Sequence, residues 1–137
     1  MAIDRLTEQT AGQPAIFQQI VLAAPDISVP LFQQLVPALR SSSQRITIYS
    51  SERDKALGFS SFIRGGAPRV GKQITAIAGV DVIDASAVKA SLLDHSYFAE
   101  NPVILEDLKE LLTAQLAAAK RFMTLKKKGD IWIPVIH

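Results

Sequence analysis

His95 is the residue of this chain best suited to proton chemistry, and it stands in the stretch "LLDHSYFAENP", Leu92 to Pro102, just ahead of a helix-forming segment. An imidazole exchanges its proton near neutral pH, so a histidine set between Asp94 and Ser96 raises the question of what it serves. The only other histidine is the C-terminal residue, His137, where fraying of the chain end argues against a catalytic role. The chain has no cysteine, which removes thiol nucleophiles, thiolate metal sites and disulfides together. Carboxylates are spread along the sequence: Asp26 in "APDI", Asp54 in "SSERDKAL", Asp84 in "VDVIDAS", and Asp94 beside the histidine itself. Which of them can meet His95 depends on the elements that carry them.

Those elements are punctuated by proline, glycine and capping residues. "MAIDRLTEQTAGQ" sets Ile3 and Leu6 on one helical face before a Gly-Gln-Pro breaker, predicting a short helix that ends near Ala11. The apolar run Ile20 to Ala24, closed by Pro25 and Asp26, predicts a strand buried on both faces. Ser28 as cap, Pro30 in the first turn, and Leu31, Phe32, Leu35, Val36 and Leu39 at helical spacing predict a helix kinked at Pro37. Gln44 to Ser51 is β-branched and aromatic over a strand's length. "DKALGFSSFIRGG" then predicts a short helix, capped by Asp54 and stopped at Gly65-Gly66, and Val80 to Ser86 a third strand. Asn101 and Pro102 open a long helix through "NPVILEDLKELLTAQLAAAKRFM", whose basic end, Lys120, Arg121 and Lys126 to Lys128, could be taken for an anionic-partner site but is first read as complementing the helix dipole. "DIWIPVIH" adds an edge strand whose pairing Pro134 limits.

The alternation αβαβαβα predicts one three-layer α/β domain over residues 1–137, a mostly parallel sheet with helices on both faces. In such sheets ligands gather beyond the carboxyl ends of the strands. That rule brings Asp26, the segment Ser50 to Asp54, and the loop holding His95 into one neighbourhood.

Composition narrows the function classes. At 48% hydrophobic and 20% charged residues the chain can bury one core and is too apolar for a disordered segment. A formal net charge of +2 gives no footprint for a nucleic-acid partner. No apolar run approaches the roughly 20 residues of a membrane span, and no h-region marks a signal peptide, so no transmembrane segment and a cytoplasmic location are expected. "RGGAPRVGK" has glycines and bases but not the phosphate-loop pattern G-x-x-x-x-G-K-[ST], and it follows a predicted helix rather than a strand. No cofactor is expected, and a flavodoxin-like or receiver-like domain has only the element order in its favour.

In order and spacing, "VLAAPDI", "ITIYSSERDKALGFS", "GVDVIDAS" and "DHSYFAENPVILEDL" resemble the C-terminal half of a bacterial α/β-hydrolase family of largely unassigned function, from about Ile16 to Leu112. In α/β-hydrolases the chain order is nucleophilic Ser, then Asp or Glu, then His. The resemblance therefore implies that His95 is the general base for attack on an ester or related acyl bond, with a carboxylate orienting its ring. Asp54, after the penultimate strand, is the first choice for that carboxylate, and Asp26, after the strand before, is the runner-up. Asp94 is poorly placed to orient a neighbouring ring, and Asp84 lies within a strand. Simpler roles stay open beside these: His95 bonding a loop carbonyl, Asp54 as a helix cap, Asp26 as a turn residue.

The family's nucleophile elbow, G-x-S-x-G, does not occur in the 137 residues. "GFSSF", Gly58 to Phe62, lacks the second glycine and lies in a helical stretch, while Ser41 to Ser43 and Ser50-Ser51 stand at element ends where hydroxyls bond local backbone. "MAIDRLTEQ" resembles the second half of the helix that would follow the elbow. The expectation is a chain that is inactive alone, carrying the acid and base while the serine lies in an absent portion. Its first strand would be an exposed sheet edge, to be covered by a separate N-terminal half or a second copy. The competing expectation is a noncatalytic α/β fragment or interaction module.

Overall fold

The computed structural model describes residues 14–52, 68–72, 74–88, 101–121 and 124–135. Among them, five strands form one sheet: β1 (Phe17–Ala23), β2 (Ser43–Ser50), β3 (Asp81–Asp84), β4 (Leu125–Lys128) and β5 (Ile131–Pro134), in the order β1-β2-β3-β5-β4. β1, β2, β3 and β5 run parallel, with Ile20 opposite Ile46 and Ile48 opposite Val82, and only β4 is antiparallel. Two helices cover the sheet, α1 (Val29–Ser42) and α2 (Pro102–Thr113). The mostly parallel, three-layer α/β arrangement read from the sequence is the one observed.

Strand periodicity sorts the side chains to the two faces. Ile46, Ile48 and Val82 point to α1, where Val29, Phe32 and Val36 meet them. Tyr49 and Ile83 point the other way, toward Ile104 of α2, Ala118 and Leu125. The two helices start differently. Ser28 holds the cap position of α1 in extended conformation, but its side chain makes no capping hydrogen bond; Pro30 stands in the first turn, and the helix runs on through Pro37 to Ser42. Asn101 Oδ1 accepts the amides of Val103 at 3.0 Å and Ile104 at 3.4 Å, satisfying two donors that the first turn leaves unpaired.

Three expectations are corrected. The long helix ends at Thr113: Gln115 takes φ +54°, its carbonyl accepts from Arg45 Nη1 at 2.7 Å, and the chain turns away. The basic residues beyond it do not complement its dipole. Lys120 closes a 3₁₀ turn (Ala118–Lys120), Arg121 is fully buried, and Lys126 to Lys128 lie along β4. The strand in "DIWIPVIH" is β5, which is interior, between β3 and β4; the edge is β4. The two form a hairpin around Gly129-Asp130, where Gly129 at φ +61° supplies the left-handed residue that so tight a turn needs.

β1 is not buried on both faces either. Phe17 and Ala23 are exposed and Gln19 to Leu22 half-buried, because β1 has a described partner on one side only. The sheet's two edges differ in composition. β4 reads Leu-Lys-Lys-Lys with its lysines exposed, whereas β1 holds no charge and no proline, and Ile16 and Phe17 at its start are 54% and 43% exposed. Edge lysines discourage further strand addition; β1 has no such guard. No helix among the described residues is long and apolar enough to cross a membrane. The helices expected at residues 1–11 and 54–66 lie outside the described residues.

Candidate functional site

Parallel strands end on one side of the sheet, and here the chain builds a ledge from four segments. Residues 68–72 run across the ends of β1 and β2. Val29 N bonds Pro68 O at 2.8 Å, Val70 N bonds Ile27 O at 2.9 Å, and Gly71 N bonds Pro25 O at 2.9 Å. On the β2 side, Ser51 N bonds Gly71 O at 3.0 Å and Ser50 Oγ donates to Val70 O at 2.7 Å. Gly71 is required by proximity, because a β-carbon there would lie 2.4 Å from the carbonyl carbon of Ala24. Ala24 itself takes φ +44°, a conformation costing about 1–2 kcal/mol for a residue with a side chain, and its N–H bonds Tyr49 O at 2.9 Å. Glycine and strained alanine together bring the turn Pro25–Ile27 tightly onto the ledge.

The ends of β2 and β3 are joined directly. Ala85 N bonds Ser50 O at 2.8 Å, and one step farther Glu52 N bonds Ser86 Oγ at 2.9 Å. Ser86 is oriented in turn, since its N–H donates to Asp84 Oδ1 at 2.9 Å, an Asx turn at the strand end. Asp84 is thus engaged in holding backbone.

Of the residues singled out in the sequence, Asp26 lies on this ledge. Its side chain is 75% exposed, 3.6 Å from Arg69 Nε, and its carbonyl accepts from Arg69 Nη1 at 3.3 Å. Asp54 and His95 lie outside the described residues, as do Asp94 and Ser60. The chain heads toward Asp54 from Glu52 and returns at Pro68; it heads toward His95 from Val88 and returns at Asn101. Ser41 Oγ donates to Ala38 O at 2.8 Å and Ser43 Oγ to Leu39 O at 2.7 Å, the local backbone bonds expected of them, whereas Ser50 Oγ bonds the distant Val70 O. Among the described residues no three His, Cys, Asp or Glu side chains are grouped to hold a metal ion.

Beneath the ledge, on the α2 side, lies a polar cluster that the sequence reading missed. Asp107 is fully buried on α2, and its Oδ2 accepts from Tyr49 Oη at 2.5 Å and from Arg121 Nη1. Its Oδ1 accepts from Thr124 Oγ1 at 2.7 Å. Burial, and after it the carboxylate of Asp107, push the Tyr49 phenol far above its ordinary range. Among the described residues Arg121 Nε and Nη2 have no hydrogen-bond partner, so the described hold on the guanidinium is one strong ion pair rather than a full fork of bonds. A signal was present: Asp107 lies with Ile104 and Leu111 on the buried stripe of α2, and a carboxylate on such a stripe requires a cation or several donors. Residues Ser86, Gly71 and Arg69 gave no comparable signal, because their roles depend on which strand ends become neighbours.

Comparison with curated proteins and with solved structures finds no match. One family does match, described as "alpha/beta hydrolase of unknown function (DUF900)", over residues 1–115. That span takes in β1 through α2 and the ledge built on their ends, and excludes the 3₁₀ turn and the β4–β5 hairpin. With most of its length matched, and with a mostly parallel sheet covered by helices on both faces, the chain belongs to the alpha/beta hydrolases of unknown function.

Proposed function

We propose that this chain is the acid-and-base half of a serine hydrolase acting on ester or related acyl bonds, with His95 as general base and Asp54 as the carboxylate that orients it. The observation that carries the reading is the direct bond between the two strand ends, Glu52 N to Ser86 Oγ at 2.9 Å. The segment bearing Asp54 starts from one side of that bond and the segment bearing His95 from the other, so the two loops begin as neighbours. Neutral imidazole would take the proton of a serine hydroxyl, and the carboxylate on the other ring nitrogen would fix the tautomer and stabilise the imidazolium. Asp26 is the second choice for the carboxylate; its pairing with half-buried Arg69 already accounts for its position.

No G-x-S-x-G occurs in the sequence, so the serine is assigned to another polypeptide segment, and the chain alone is expected to be inactive. The unguarded edge at β1 supports a partner there, either an N-terminal half that adds the next strand or a second copy. A noncatalytic role as an α/β interaction module rests on the same two observations, and one experiment separates the readings. The purified chain is treated with a fluorophosphonate, alone and together with a segment carrying the elbow. The proposal expects no labelling of the chain alone, labelling of the elbow serine in the complex, and loss of that labelling in His95→Ala. Stoichiometric labelling of a serine in this chain, or equal labelling in the His95→Ala complex, would overturn it.

A further inference from the structure

Residues beyond the family match are not an appendage. Among the described residues, Arg121 and Thr124 supply two of the three side chains that donate to Asp107, and the third is Tyr49. Tyr49 and Asp107 both lie inside the matched span of residues 1–115; the described cation on this buried carboxylate, Arg121, lies outside it. The same segment makes a second attachment, since β5 pairs with β3 at Ile83 opposite Trp132. Both attachment points are next to strand ends of the ledge: Tyr49 precedes Ser50, the last residue of β2, and Ile83 precedes Asp84, the last of β3. The turn that presents Arg121 is itself wound around it. Arg121 N bonds Ala118 O at 3.1 Å, and its carbonyl accepts the amides of Thr124 at 3.1 Å and Leu125 at 2.7 Å.

We infer that the C-terminal segment 116–135 is a latch that holds the ends of β2 and β3 in register, and that Arg121 is a positioning residue acting through Asp107 and Tyr49 on the strand end that leads to Asp54. The physical reason is that a buried carboxylate stays in place only while its charge is matched and its lone pairs are occupied. Take away the guanidinium and Asp107 must seek water. Moving that carboxylate withdraws the acceptor from the Tyr49 hydroxyl. The end of β2 then loses its described side-chain hydrogen bond to α2, keeping there only the packing of Tyr49 near Ile104, while the middle of the strand remains held by the α1 face, where Ile46 and Ile48 are buried. The catalytic meaning of the latch rests on the hydrolase reading above; the mechanical coupling does not, so the two fail separately.

Amide hydrogen exchange on the full chain tests it, comparing wild type with Arg121→Met, Arg121→Lys and Tyr49→Phe, and with Phe32→Leu as a destabilised control on the opposite face of the sheet. The amides to watch are Ser51, Glu52 and Ala85, which bond Gly71 O, Ser86 Oγ and Ser50 O, against those of Ile46 and Ile48 in the middle of β2. In Arg121→Met and Tyr49→Phe the three strand-end amides are expected to lose protection at least tenfold more than the two mid-strand ones. Arg121→Lys, which keeps the charge, should recover part of that loss, and Phe32→Leu should show no such bias. If Arg121→Met does not fold, Tyr49→Phe and Thr124→Val give the same readout on the same amides. Loss spread evenly along β2, or the same bias in Phe32→Leu, would overturn the latch.

Discussion

Raising the pH should destabilise this protein through Tyr49 in a way that Tyr49→Phe does not share. The phenol is 1% exposed and bonds a buried carboxylate, so in the folded state its ionisation is driven far above its ordinary range, first by desolvation and then by the charge of Asp107. In the unfolded chain it ionises near pH 10. A folded pKa raised above the unfolded one means a contribution that is intact below about pH 10 and is lost as pH rises beyond it, because the unfolded state releases its proton first. The slope is about 1.4 kcal/mol per pH unit for one such group. At pH 8, Tyr49→Phe should cost about 1.5–3 kcal/mol, the range for a hydrogen bond to a charged acceptor. The gap between wild type and variant should then close by about 1.4 kcal/mol for each unit above pH 10 and vanish between roughly pH 11 and 12. Urea unfolding of both proteins from pH 8 to 12 measures it, with contributions common to the two proteins cancelling in the difference. A gap that stays constant to pH 12 would refute the reasoning, since it would mean that the folded protein lets this phenol ionise as freely as the unfolded chain does.

Three further outcomes concern the ledge and the carboxylates proposed for the triad. Gly71→Ala forces a methyl group to 2.4 Å from the backbone of Ala24 and should cost about 1–3 kcal/mol, read as a lowered midpoint in thermal unfolding. Asp26→Asn removes a loose 3.6 Å ion pair between a carboxylate that is 75% exposed and an arginine side chain that is 42% exposed, so its stability should stay within about 0.5 kcal/mol of wild type. In a complemented enzyme the same Asp26→Asn should leave turnover unchanged, whereas Asp54→Asn should lower it severely; the reverse pattern would exchange the two carboxylates in the proposed triad.

Most of the scaffold could be read from punctuation. Pro25-Asp26, Ser28 with Pro30, and Asn101 with Pro102 mark ends of β1, α1 and α2 to within a residue or two, because capping and proline geometry are local effects. Rules about the ends of parallel strands also brought the Asp26 turn and the Ser50–Glu52 segment together correctly. Long-range effects were not legible. The alanine-rich "AQLAAAKR", residues 114–121, has every local reason to continue a helix, and it fails to do so because the Arg121 side chain is buried on Asp107 and the chain must turn back to put it there. The hairpin was half legible: Gly129-Asp130 between a lysine run and an apolar run is a two-residue turn signal, masked by reading the lysines as a helix end. The half-burial of β1 was hidden because an apolar strand reads the same whether or not a neighbour covers it.

The contrast between the two edges sets how this protein can associate. A sheet with two open edges has a valence of two, and pairing edge to edge can propagate without end into a fibre. Here one of the two edges, β4, presents exposed lysines that repel an incoming strand, which leaves the described sheet a valence of one at β1. A second copy that pairs through its own β1 uses up the remaining edge of both described sheets, so self-association by strand addition ends at a closed pair.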